Sequence, residues 1–171
     1  MSSGQIEFYG DPCRSCAYSW SLPVDAMVNE VLSLATTYRA VLHGRPGTAR
    51  HPDLGWCAAA YVLHVADNLR SHGERMAAAA RGAEFEFIHA DQDELAEVRS
   101  YEAIPLEGAL WSLGIVLAPY VEVFREAAAT GVILRHPTRG DQLATDVLRG
   151  NLHDAHHHGW DLQRIALANP I

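Results

Sequence analysis

Apolar residues recur along this chain three and four positions apart, and no segment alternates apolar with polar residues for long. That spacing predicts amphipathic helices rather than strands. Val24, Val28, Val31, Leu32, Ala35, Tyr38 and Leu42 mark a first helix from about Pro23 to His43. Proline suits a helix start, where the missing N–H costs little, and Gly44 with Pro46-Gly47 ends the run. A second helix is predicted from about Leu54 to Ala80, rich in alanine and stopped at Arg81-Gly82. A third runs from about Pro105 to Ala129 and stops at Thr130-Gly131, with a kink expected at Pro119. After a short loop, GVILRHPTRG, a fourth runs from about Asp141, a candidate N-cap, to Leu167, ahead of Asn169-Pro170. Residues 82–104 form a long acidic connection between helices two and three, with a short helix expected near Asp91 to Val98. Four long helices of this apolar content pack as an all-α four-helix bundle.

Composition narrows the function classes. The 171 residues suit one domain, with residues 1–22 as an extension ahead of the first long helix. The net charge is −8, and all thirteen basic residues are arginine. An acidic chain with scattered arginines is a poor match for a phosphate backbone, so no nucleic-acid partner is expected. No uninterrupted apolar run long enough to span a bilayer stands out, and the N-terminal MSSGQIEFYGDPC lacks the basic and apolar regions of a signal peptide. A cytoplasmic protein with no membrane partner is the expectation.

The candidate chemistry is in ten histidines and three cysteines. Cys13 and Cys16 form C-x-x-C, which reads as plain reduced thiols, a half-site for a mixed-ligand metal, or a redox pair; Cys57 reads as a small core residue. The fourth helix carries N-L-H-D-A-H-H-H-G-W-D-L. His153 and His157 stand four apart on one helix face, where two imidazoles can share a metal ion, and Asp161 lies one turn further on and could orient His157. His64 sits in an otherwise apolar stretch of the second helix, with Asp67 three residues on as a candidate partner. His43, His51, His72, His89 and His136 lie in loops or beside helix breakers and read as surface residues. Trp56, Trp111, Phe124 and Trp160 read as core or pocket wall.

Together, W-C-A-A-A-Y-V-L-H-V-A-D in the second helix and L-H-D-A-H-H-H-G-W-D-L in the last resemble the paired motifs of the DinB/YfiT-like metalloenzyme superfamily. The opening D-P-C-R-S-C-A-Y-S-W is similar to the C-x-x-C-G-[FY]-x-W start of one of its branches, with Ala17 in place of the usual glycine. The resemblance implies a bundle holding a divalent metal through His64, His153 and His157. An alternative alignment, on the D-L dipeptide, selects Asp154 and His158 instead, as in relatives similar to mycothiol-dependent maleylpyruvate isomerase. With the all-histidine set, Asp67, Asp154 and His158 become candidates for supporting or proton-transfer roles. The resemblance also implies a homodimer. Zinc is the default metal, with nickel or iron as alternatives. An open metal position suits hydrolysis of a small molecule, or S-transfer or isomerisation with a low-molecular-weight thiol such as mycothiol or bacillithiol. The competing readings are a non-catalytic, stress-related metal-binding bundle and a plain bundle with incidental histidines.

Overall fold

The computed structural model describes residues 3–83, 91–136 and 139–171; His89 lies outside them. Its elements are α1 (Ser3–Tyr9), α2 (Val24–Val41), α3 (Ala58–Ala80), α4 (Gln92–Val98), a 3-10 turn (Tyr101–Ala103), α5 (Leu106–Thr130), strands β1 (Ile133–His136) and β2 (Gly140–Leu143), and α6 (Ala144–Ala168). The four long helices form a four-helix bundle. On α2 the marked positions Val28, Val31 and Tyr38 are buried while Val24 and Leu32 are exposed, and α5 buries Leu113, Leu117 and Phe124.

Of the consecutive long helices, only α3 and α5 pack closely on each other. Helix α2 packs against α5 and α6, and so does α3, while α2 and α3 hardly touch. The connection from α2 to α3 therefore crosses the bundle, and α6, the last element, lies between these first two long helices. Buried polar contacts tie it in place: the Tyr38 hydroxyl donates to the Ala155 carbonyl, and Asn151 Nδ2 donates to the Tyr120 hydroxyl at 3.0 Å.

Several expectations change. Ile133–His136 and Gly140–Leu143 pair as antiparallel strands, with Ile133 opposite Leu143 and His136 opposite Gly140, where a loop was expected. Strands of four residues are too short to show alternation. Asp141 consequently lies in β2, and Asp146 instead accepts from the Leu143 amide at 3.1 Å at the start of α6. Helix α5 runs unbroken from Leu106 to Thr130, Pro119 included, and is long and apolar enough by length and composition to cross a bilayer. Here its apolar stripe packs chiefly on α3. Trp111, expected in the core or a pocket wall, is 66% exposed on it. The short helix near Asp91 is present, with the Asp91 carboxylate accepting from the Asp93 and Glu94 amides at 2.8 and 3.3 Å, an N-cap.

The N-terminal segment folds back onto α6. After α1, the Cys13 amide donates to the Tyr18 carbonyl and the Ala17 amide to the Cys13 carbonyl, at 2.8 and 2.9 Å. Trp20 Nε1 donates to the Gly10 carbonyl at 2.9 Å. This tight loop buries Cys13, Tyr18 and Trp20.

Candidate metal centre

Helix α6 presents two adjacent stripes of metal-ligand chemistry. Neighbouring helix positions diverge by about 100°, so 153 and 157 face one way while 154, 158 and 161 face another. The structure distributes the three expected histidines accordingly. His64 faces Asp154 and His158; His153 and His157 face Cys13 and Cys16.

In the first cluster, one donor atom from each of His64, Asp154 and His158 lies within 4.8 Å of the others. His64 Nε2 is 3.5 Å from Asp154 Oδ2, and His158 Nε2 is 3.6 Å from Asp154 Oδ1. His158 Nδ1 is 3.2 Å from Asp161 Oδ2. With that nitrogen protonated and donating to Asp161, Nε2 is left facing the cluster, an arrangement that supports many metal-bound imidazoles. Asp161 thus addresses His158 rather than His157. Asn68 Nδ2 donates to Asp154 Oδ2 at 2.7 Å and fixes the carboxylate. Trp56 and Tyr61 pack on the two imidazoles, with ring centroids 5.1 Å from His64 and 5.2 Å from His158.

The electrostatics are those of a cation site. Burial opposes charge on Asp154, but hydrogen bonds from His158 and His64 outweigh it and hold the carboxyl well below its usual range. Burial likewise disfavours a charged His158, yet Asp154 and Asp161 together raise its pKa to about 9.

Asp67 is engaged elsewhere than beside His64. Its carboxylate accepts from Arg70, Arg99 and the Tyr101 hydroxyl, fastening the segment after α4 onto α3. The start of α4, from Asp91 to Leu95, walls a cavity of about 500 Å³. His64 and Asp154 line it, together with Asn68, Ser71, His72, Arg75 and others, so it opens on the first cluster and most of its lining residues are polar. His72 belongs to this wall and not to the surface as expected; its Nδ1 lies 3.0 Å from the Asn68 carbonyl, and burial lowers its pKa to about 4.

In the second cluster, one donor from each of Cys13, Cys16, His153 and His157 lies within 4.8 Å of the other three. Aromatic rings enclose His153: Trp20 at 4.4 Å, Tyr9 at 4.6 Å and Tyr18 at 5.5 Å between centroids. Burial lowers the His153 pKa to about 4, so the imidazole is neutral. His156, on a third side of α6, pairs with Glu30 at 2.7 Å.

Sequence reasoning did not assign Asn68, although it stands one turn after His64, the i+4 position from which a side chain reaches the same partner. Nor did it bring the N-terminal aromatics to the last helix, a contact across more than a hundred residues for which the chain carries no local signal.

No family model matches the sequence, and no curated protein is similar to it at a significant level. The fold does have a solved counterpart. The chain is similar to YfiT from Bacillus subtilis, described as a probable metal-dependent hydrolase with an unusual four-helix bundle topology. The TM-score is 0.72 at 14% identity, over 86% of this chain and 90% of that one. The fold is therefore the YfiT-like four-helix bundle.

Proposed function

We propose that this chain is a divalent-metal-dependent enzyme whose ion is held by His64, Asp154 and His158 and whose substrate is a polar small molecule bound in the adjoining cavity. The observation that carries this reading is the convergence of two imidazoles and one carboxylate, each already oriented, at the edge of a cavity of about 500 Å³. Three protein ligands leave a coordination position open, as catalytic sites do and structural sites do not. Two histidines and a carboxylate suit zinc, and the same set takes ferrous iron. The description of YfiT as a probable metal-dependent hydrolase supports hydrolysis as the first reaction to test.

When bound, the ion supplies a Lewis acid and lowers the pKa of a water or thiol on its open side. The chain's own residues do the rest. Asp161 holds His158 in the tautomer that points Nε2 inward, and Asn68 holds Asp154. Trp56 and Tyr61 shield the imidazoles. Asp67, on the cavity wall, ties α3 to Arg99 and Tyr101 just after α4. An open position that accepts water also accepts a thiol, so transfer from mycothiol or bacillithiol to an electrophile is the alternative reaction at the same site.

The test is metal analysis of untagged protein, followed by assays with ester and amide substrates and with thiol–electrophile pairs. His64→Ala is expected to remove this ion and to reduce turnover at least a hundredfold while the helical content stays unchanged. Full retention of the ion in His64→Ala would overturn the site. A bound ion with no turnover in either assay would favour the non-catalytic metal-binding bundle.

A further inference from the structure

We propose a second metal site, structural and independent of the first, in which Cys13, Cys16, His153 and His157 hold a zinc ion that clamps the N-terminal segment to α6. The four side chains come from two segments far apart in the chain, yet their donor atoms lie within 4.8 Å of one another. In a tetrahedral site with Zn–S near 2.3 Å and Zn–N near 2.0–2.1 Å, donors stand about 3.3–3.8 Å apart. Closing onto an ion therefore shortens donor–donor distances by at most about 1.0–1.5 Å.

A second observation points the same way. His153 Nε2 and His157 Nδ1 are buried and have no hydrogen-bond partner among the described residues. His153 is only 5% exposed. A buried polar atom without a partner costs about 1–3 kcal/mol, and two such atoms beside a cysteine pair are accounted for if the histidines are ligands. Cys13 and Cys16 are free thiols, 3% exposed and half-buried respectively. Loss of both thiol protons on binding would give two thiolates, two neutral imidazoles and Zn²⁺, a set with no net charge that suits a buried position.

The donor set also separates the two sites by role. Four protein ligands fill a tetrahedral ion and leave no position for substrate, so this site does no chemistry. Two sulfurs and two nitrogens in this geometry select zinc over the harder divalent ions. His153 and Asp154 are consecutive, as are His157 and His158. The structural ion would thus set the rotation of the same two helical turns that supply Asp154 and His158 to the catalytic ion.

Zinc content and zinc-edge X-ray absorption of the untagged full chain test the proposal. Zinc-loaded wild type is expected to hold two ions, with sulfur in the average shell. His64→Ala should keep one, with two sulfur neighbours near 2.3 Å and two nitrogens near 2.0 Å. Cys13→Ser/Cys16→Ser should keep one, without sulfur. Should the double variant fail to fold, alkylation mapped by mass spectrometry on wild type replaces it: zinc added to metal-free protein should protect Cys13 and Cys16 at least tenfold. A zinc shell without sulfur in His64→Ala overturns the proposal, as does equal alkylation with and without zinc, or a Cys13–Cys16 disulfide in zinc-loaded protein. Because His64→Ala reads the two sites separately, failure of this site leaves the proposed function standing, and the reverse holds as well.

Discussion

At the scale of single residues, two positions lend themselves to measurement. Ala17 closes the cysteine loop with φ 59°, in the left-handed region. An L-residue gives up about 1–2 kcal/mol there, while glycine would add about 0.4–1 kcal/mol of unfolded-chain entropy. Ala17 is exposed. Ala17→Gly is therefore expected to leave stability unchanged or raise it by up to ~1 kcal/mol, and Ala17→Val to lower it, in urea melts. A clear loss with glycine would show that the methyl group matters. His72 sets a pH dependence. Its folded pKa of about 4 lies below the ordinary 6.5, so between those values the unfolded chain takes up a proton that the fold refuses. Its contribution to stability is complete above pH 6.5 and is lost as pH falls towards 4. Melts at pH 7 and pH 5 should show a smaller drop for His72→Gln than for wild type; an identical drop would assign the acid sensitivity elsewhere. His72 also shows a limit of sequence reading. It stands beside a helix breaker, Gly73, and only the packing of the hairpin and α4 region around it makes it a cavity wall.

At the scale of elements, α6 decides most of the chemistry. Its two stripes, His153 with His157 and Asp154 with His158, were both legible as i, i+4 spacings, although Asp161 was read with His157 and bonds His158. Which stripe meets His64 was not legible, because one residue of register turns a helix by about 100° and both stripes look alike as strings. The answer depends on how α6 is rotated between α2 and α3. Gly159 is part of that fit: a Cβ there would lie 3.3 Å from Tyr38 Cε1, and Tyr38 cannot withdraw easily because its hydroxyl is bonded to the Ala155 carbonyl. Replacing a mid-helix glycine normally gains up to about 1 kcal/mol, whereas forcing atoms into a packed contact costs about 1–3 kcal/mol. Gly159→Leu is expected to be net destabilising and, by turning α6, to weaken metal binding at His64, Asp154 and His158. A stabilised variant with full metal affinity would show that the helix tolerates the shift.

At the scale of the whole molecule, the N-terminal segment is part of the core although it precedes the bundle. Tyr18 and Trp20 are each 1% exposed, packed over His153. Burying one such side chain stabilises by about 1.5–3 kcal/mol. Deleting residues 1–22 should therefore destabilise the protein by several kcal/mol and increase dye binding to the uncovered face of α6. Unchanged melting would show that the segment only rests on the bundle.

Four long helices, their ends to within a few residues and their buried faces follow from the chain alone, because helical periodicity, alanine content and glycine or proline stops act locally. The ligand chemistry was legible too, as residue types at helical spacing. Tertiary structure decided which ligands meet. The crossed connection sets α6 beside both α3 and the N-terminal loop, and the rotation of α6 sends Asp154 and His158 to His64 while His153 and His157 turn to Cys13 and Cys16. Such pairings join residues scores of positions apart, and they depend on packing angles that no local pattern encodes.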